Sequence, residues 1–278
     1  QLVTLSKSGN KIELFLKENK FVANGQEVYD FGKLLNGKTY MDESFYEDFL
    51  GLKVSRDGAY IKVTEVQGNP IIITPKKELL KTDFLTSTVQ YPEVSGLQDA
   101  EIEQKINAEI KALAEQAKNE GLKNADEMIE WMDSGYTGSP NKCETYFNYR
   151  IKYNSNGILS VVFYNYQYTG GAQGTTVQSS KTFDLASGRE YQLKDLFAEE
   201  TDYVHTINHE VKKLMQERGL TESMLSPFES IRADQGFYLT NDALVIYFQQ
   251  YEYFPYAVGI PEFEIEYPVF QEMLLLKI

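Results

Sequence analysis

The sequence predicts an α+β protein, an antiparallel sheet with helices packed on it, preceded by a small ββαββ module. Three observations carry that expectation. Short runs rich in Tyr, Phe and Val alternate apolar and polar residues, and Asn-Gly, Asp-Gly and Ser-Gly turn signals separate them. Two longer runs, near residues 99–117 and 200–218, instead place apolar residues on one helical face. Charge is the third. Residues 1–80 hold 11 Lys+Arg against 11 Asp+Glu, and residues 81–278 hold 16 against 30, so the second stretch carries the whole net charge of −14. Two units of different character follow, residues 1–80 and 81–278, and 278 residues give each a core of its own.

In chain order, Lys11 to Lys17 alternates as a strand, and Phe21 to Val28 folds about Asn24-Gly25 as a hairpin. Ser44 is the expected cap of a short helix that carries Phe45, Phe49 and Leu50 inward and stops at Gly51. Lys53 to Ser55 and Ala59 to Glu65, joined at Asp57-Gly58, complete the first unit. Residues 67–81, with two prolines and three lysines, read as a linker that becomes a strand at Ile71 to Thr74. Phe84 to Tyr91 is a strand. Asp99 caps a helix whose Ile102, Ile106, Ile110, Leu113 and Ala117 share one face, and Ala125 to Met132 reads as a second, short helix.

Tyr146 to Tyr153 and Ile158 to Tyr168 form a long hairpin about residues 154–157, with Tyr164, Tyr166 and Tyr168 on one face. Three glycines in five residues, Gly170, Gly171 and Gly174, then break the chain before a strand over residues 175–185. The meander continues through Ala186-Ser187-Gly188-Arg189 and Glu190 to Leu193. A helix from about Glu200 to Arg218 has Tyr203, Ile207, Val211 and Leu214 as its buried stripe. Phe237 to Leu239 pairs with Ala243 to Gln249, and Phe263 to Tyr267 alternates apolar in and acidic out.

These features narrow the function. An acidic chain lacks the basic footprint that phosphate binding requires, which argues against nucleic acid and favours a neutral or cationic partner. Cys143 is the only cysteine, so no disulfide closes within the chain. No run approaches the roughly 18 apolar residues of a membrane span. The chain starts at Gln1 without an initiator Met, so a processed or removed upstream segment is expected, with room for an anchor there.

Several strings fall in the order of known families. VANGQEV, LLNGKTYM, FYEDFLGLKV and DGAYIKVTE resemble the copper amine oxidase N-terminal-like module of bacterial envelope proteins, although Met41-Asp42-Glu43 stands where that module usually has Val-Pro-Leu. Residues 1–80 contain no His and no Cys, so the resemblance implies no copper site. YPEVSGLQD, ILSVVFYNYQYTGGAQG, FDLASGREYQLKDLF and FYLTNDALVIYFQQYEYFPYAVGIPEFEIEY resemble the PdaC/SigV domain family, over residues 83–270. That family includes RsiV-like anti-sigma factor ectodomains of the lysozyme-binding type. The resemblance implies a place outside the cytoplasmic membrane of a bacterium, recognition rather than catalysis, and a basic partner such as lysozyme or a peptidoglycan fragment. The family's loop usually reads GGAHG. Here Gln173 occupies the His position, so a hydrogen-bonding amide replaces a group that titrates near neutral pH.

The residues themselves offer one binding surface and no catalytic constellation. Tyr168, Gly170, Gly171 and Gln173 of the glycine loop, with Tyr253, Phe254, Pro255 and Tyr256 of a second irregular loop, are the expected ligand-binding residues: tyrosine offers a stiff, large contact area with a polar end. The glycine loop opens a strand and lacks a Lys-Ser/Thr pair, unlike a phosphate cradle. His205 and His209 have the i, i+4 spacing of metal ligands, but the predicted helix turns both away from its buried side and no Glu follows His205; they are a weak metal candidate, and no cofactor is expected. Glu262, Glu264 and Glu266 share the solvent face of one strand. The leading expectation is a non-enzymatic envelope protein that binds a cationic protein or a cell-wall glycan. The alternatives are a glycan-modifying enzyme or accessory domain of one, and a structural spacer.

Overall fold

The computed structural model describes residues 2–7, 10–29, 32–36, 38–58, 60–135 and 141–276. Strands β1 (Leu2–Lys7), β2 (Asn10–Phe15), β3 (Lys20–Ala23) and β4 (Gln26–Tyr29) make a four-stranded antiparallel meander. A hairpin of β5 (Gly32–Leu35) and β6 (Lys38–Met41) leads into α1 (Glu43–Leu50), and β7 (Leu52–Asp57) pairs with β8 (Tyr60–Glu65). The unit thus has more strands than the ββαββ expected. The helix also begins earlier than Ser44: Asp42 stands at the N-cap and its carbonyl accepts from Phe45 N–H. Gly51 ends it as expected, at a left-handed φ of 60° that favours glycine. Ile12, Leu14, Phe21, Val28 and Phe45 are buried together, with Phe45 and Phe49 edge-on to Phe21 at 5.2 and 4.7 Å.

The second unit is built on a five-stranded sheet in the order β13-β12-β11-β10-β9. Its strands are β9 (Ile72–Lys81), β10 (Leu85–Ser95), β11 (Cys143–Ser155), β12 (Ile158–Tyr168) and β13 (Thr175–Asp184). β9 therefore belongs to this sheet as its edge; the linker narrows to the residues before it. One pairing departs from the antiparallel expectation, since β10 and β11 run parallel. Parallel neighbours need a long crossover, and α2 (Ala100–Asp133) supplies it.

That helix is continuous where two were expected. Asp99 caps it, accepting from Glu101 N–H at 2.8 Å and Ile102 N–H at 3.3 Å. Gly121 does not interrupt it but lets it approach β11: a Cβ there would lie 2.0 Å from Thr145 Oγ1. Its Ile106, Ile110, Ala114 and Ala117 bury against Val89, Phe147, Leu159, Val161, Phe163 and Phe183 on one face of the sheet.

On the sheet's other face lies a three-stranded antiparallel sheet, β14 (Phe237–Leu239), β15 (Ala243–Tyr247) and β16 (Glu262–Glu266). β15 reads ALVIY without polar alternation because both its faces are covered. Val245 and Tyr247 meet Val162 and Tyr238, while Leu244 and Ile246 join the core under α3 (Tyr203–Glu217). This helix starts three residues later than expected: Glu200 has φ 66°, outside the right-handed helical region. Asp202 caps it, and Ile207, Val211 and Met215 form its buried stripe, with Tyr203 and Leu214 half-buried at the margin. The expected strand over Glu190 to Leu193 is reduced to a single bridge, Phe183 to Glu190.

Candidate functional site

The register of the sheet fixes what reaches the glycine loop. Tyr164, Tyr166 and Tyr168 of β12 stand opposite Asn148, Tyr146 and Glu144 of β11, so the three rings share one face as expected. Beyond Tyr168 the chain turns at Gly170, whose φ of 87° suits glycine and whose Cβ would meet Met128 Cε at 2.9 Å. Gly174 ends the loop with its backbone against the Tyr166 ring, where a Cβ would lie 2.3 Å from Cε2. The Tyr168 hydroxyl donates to Gly171 O at 2.8 Å and accepts from Asn141 Nδ2 at 3.0 Å. Gly171, Ala172 and Gln173 are left exposed between these anchors.

A second loop, about 80 residues later in the chain, closes on the first. Gln173 Nε2 donates to the Tyr251 hydroxyl at 3.0 Å, and the Tyr256 hydroxyl donates to Gly174 O at 3.2 Å. Two glutamines fasten that loop to the outer edge of β13. Gln250 Oε1 accepts from Thr176 N–H at 2.9 Å; Gln249 accepts from Gln178 N–H at 3.0 Å and donates to Gln178 O at 2.8 Å. The edge strand, an open template if left bare, is covered by these side-chain amides.

Tyr168, Gly170, Gly171, Gln173 and Tyr256 are therefore brought together, and Phe254 is not. It is 1% exposed, packed in the core beneath the loop, and cannot touch a ligand. Tyr253 is half-buried, edge-on to Phe248 at 5.0 Å and Phe228 at 5.5 Å, so its ring serves packing as well as surface. Pro255 precedes the short 3-10 turn Tyr256–Val258. From sequence, Tyr251 falls in the aromatic group with Tyr247, Tyr253, Phe254 and Tyr256 but not among the expected ligand-binding residues; it is 52% exposed, with its ring centroid 5.9 Å from that of Tyr256. Its φ of 64°, rare for a residue with a bulky side chain, has no signature in the local string QQYEYF.

The rim is neutral. Burial pushes the Tyr166 phenol above its ordinary range, and the adjacent Glu252 carboxylate is held by Arg232 Nη1 at 2.6 Å and by Gln249 N–H at 2.8 Å. Amides, carbonyls and phenols there suit hydrogen bonding and ring contact.

His205 and His209 are exposed on α3, and His209 Nε2 lies 3.9 Å from Glu210. Among the described residues no group of three or more His, Cys, Asp or Glu side chains is placed to hold a metal ion. Glu264 and Glu266 are exposed on β16, whereas Glu262 accepts from Gln178 Nε2 at 2.8 Å. Cys143 is buried beside Met128, and that burial pushes its thiol up, away from the reactive thiolate.

Two family matches cover the second unit in succession: residues 79–176 match the family described as deacetylase PdaC, and residues 194–268 the family described as a protein of unknown function, DUF3298. This agrees with the resemblance carried by the four strings. The chain is 28% identical over 198 residues to the anti-sigma-V factor RsiV of Bacillus subtilis, covering 67% of this chain and 65% of that protein. It is 27% identical over 114 residues to the peptidoglycan-N-acetylmuramic acid deacetylase PdaC of the same organism, covering 40% and 23%. The chain thus spans less than two thirds of either relative. Crystal structures of DUF3298 family proteins from Bacteroides fragilis and Pseudomonas aeruginosa share the fold, with TM-scores of 0.57 and 0.51 at 18% and 16% identity. Each alignment covers 74% of this chain and 94% of the other.

Proposed function

We infer that this chain, whose second unit joins a PdaC segment to a DUF3298 segment, is a non-enzymatic binding protein of the bacterial cell envelope that docks a cationic protein on the rim of its two tyrosine-bearing loops. One observation carries the reading. Loops far apart in sequence are cross-tied through Gln173–Tyr251 and Tyr256–Gly174, yet leave Gly171, Ala172, Gln173 and Tyr251 exposed. A pre-tied rim loses little conformational entropy on binding, and exposed tyrosine is a frequent anchor of protein interfaces. The charge of −14 lies wholly in residues 81–278, which bear the rim, and steers a basic partner toward it. Lysozyme, the partner implied by the family resemblance, has that character.

The relatives named above support an envelope setting outside the cytoplasmic membrane, as does the first unit's likeness to an envelope module. No helix among the described residues is long and apolar enough to cross a membrane. We divide the chain into two units, with the first serving as a docked accessory to the second.

Calorimetric titration with hen lysozyme tests the proposal. Saturable binding that weakens with added salt, and that Tyr251→Ala weakens about tenfold, is expected. Heat-silent titration at millimolar lysozyme removes the partner from the account.

A further inference from the structure

A second surface adjoins the rim, shares Tyr166 and Thr176 with it, and runs from there across the sheet. Where the three-stranded sheet ends, the face of β10 to β13 opposite α2 is open, and its register sets Thr88, Tyr146, Tyr166 and Thr176 in one row across four strands. At the usual strand spacing the row is about 14 Å long. Tyr29 of the first unit, 47% exposed, stands over one end with its ring edge-on to Tyr146 at 5.6 Å. These residues line an open groove of about 640 Å³.

We propose that this groove binds a neutral, extended oligosaccharide, with Tyr29 and Tyr166 as ring contacts and the Thr88 and Thr176 hydroxyls as hydrogen-bonding partners. Charge decides the ligand class. Among the described residues only Glu144 and Arg150 bring charge to the lining, and Arg150 is already engaged: its guanidinium lies 4.0 Å from the Asp48 carboxylate and 4.9 Å from the Phe49 ring centroid. A nucleic acid would need a basic lining, which one engaged arginine does not supply. Phenol rings and hydroxyls instead match a sugar, which presents an apolar C–H face and neutral hydroxyls. An elongated groove open to solvent suits a chain better than a single small molecule. Because Tyr29 comes from the first unit and Tyr166 from the second, the site is complete only when both are docked.

The groove shares Tyr166 and Thr176 with the protein-binding rim, so the variants are placed at residues outside the rim and different probes separate the two. NMR titration of the whole chain with chitotetraose and with cellotetraose is the experiment, repeated on Tyr29→Ala and Thr88→Val, both outside the buried core. Expected are saturable shifts with at least one sugar, weakened about five- to tenfold by Tyr29→Ala and measurably by Thr88→Val, with lysozyme binding unchanged in both. Absence of saturation by either sugar at millimolar concentration overturns the proposal. So does binding indifferent to both substitutions. Loss of lysozyme binding in Tyr29→Ala without any sugar binding also overturns it, and assigns the groove to the protein partner.

Discussion

Gln173 and Gly174 show how much one position decides at the rim. Restoring the family's imidazole by Gln173→His adds a group that titrates near pH 6.5 beside the Tyr251 hydroxyl. Below that pH the side chain is cationic and repels a basic partner, so lysozyme affinity of the variant should fall between pH 8 and 5 while the parent's changes little; titrations at both pH values measure this. Gly174→Ala puts a methyl 2.3 Å from the Tyr166 ring, which must move. Urea unfolding should register a loss of about 1–3 kcal/mol. Asp184 gives a pH signature in stability. Burial raises its carboxyl pKa, but hydrogen bonds from Ser187 N–H, the Tyr191 hydroxyl and Ala186 N–H outweigh that and hold it below the usual range. The stabilisation is thus present above the unfolded value of about 3.9 and is lost as pH falls through the lower folded one. Asp184→Asn should lower stability at pH 7 and leave the two proteins closer at pH 2, read from urea midpoints. The glycine loop was legible from its composition alone. The exposed pose of Tyr251 was not, because a left-handed tyrosine is fixed by the glutamine latches on β13 and not by its neighbours in sequence.

Among the elements, α2 carries the main packing load. Ile106 is fully buried on the sheet, so Ile106→Ala should cost about 2–5 kcal/mol in chemical denaturation. Gly121→Ala sets two effects against each other. Helix propensity alone gains nearly 1 kcal/mol, whereas the new Cβ would press on Thr145 Oγ1, itself bonded to Gln167 at 2.9 Å. The clash is with a side chain held in place, so overpacking prevails and net destabilisation is expected. The sequence showed a helix through Ala117 and a second one from Ala125 to Met132, since the close approach to β11 that keeps them one helix cannot be seen from one strand of text. The β10–β11 pairing was hidden for a similar reason: alternation has the same period in parallel and antiparallel sheets. β15 was placed correctly, and its unbroken apolar run already implied that both faces are covered.

Across the whole molecule, polar contacts join the two units. Gln26, buried at 5%, donates from Nε2 to Asn148 Oδ1 at 2.7 Å and to Tyr149 O at 2.8 Å, and Gln90 pairs with the backbone of Glu27. Lys152 reaches the Asp48 carboxylate at 2.9 Å with both side chains largely covered. Such an interface is specific yet separable, because each group is satisfied either by its partner or by water. Asp48→Ala should weaken docking by about 1.5–3 kcal/mol and split thermal unfolding into two transitions; a single transition at the parent midpoint would show the units to be one cooperative body. None of these long-range partners was visible in the sequence. The account turns on the rim as the docking surface for a basic protein, and amide hydrogen exchange of the chain with and without saturating lysozyme tests it directly. Protection concentrated at residues 170–174 and 250–256 is the predicted result, and protection elsewhere with those loops unchanged would contradict it.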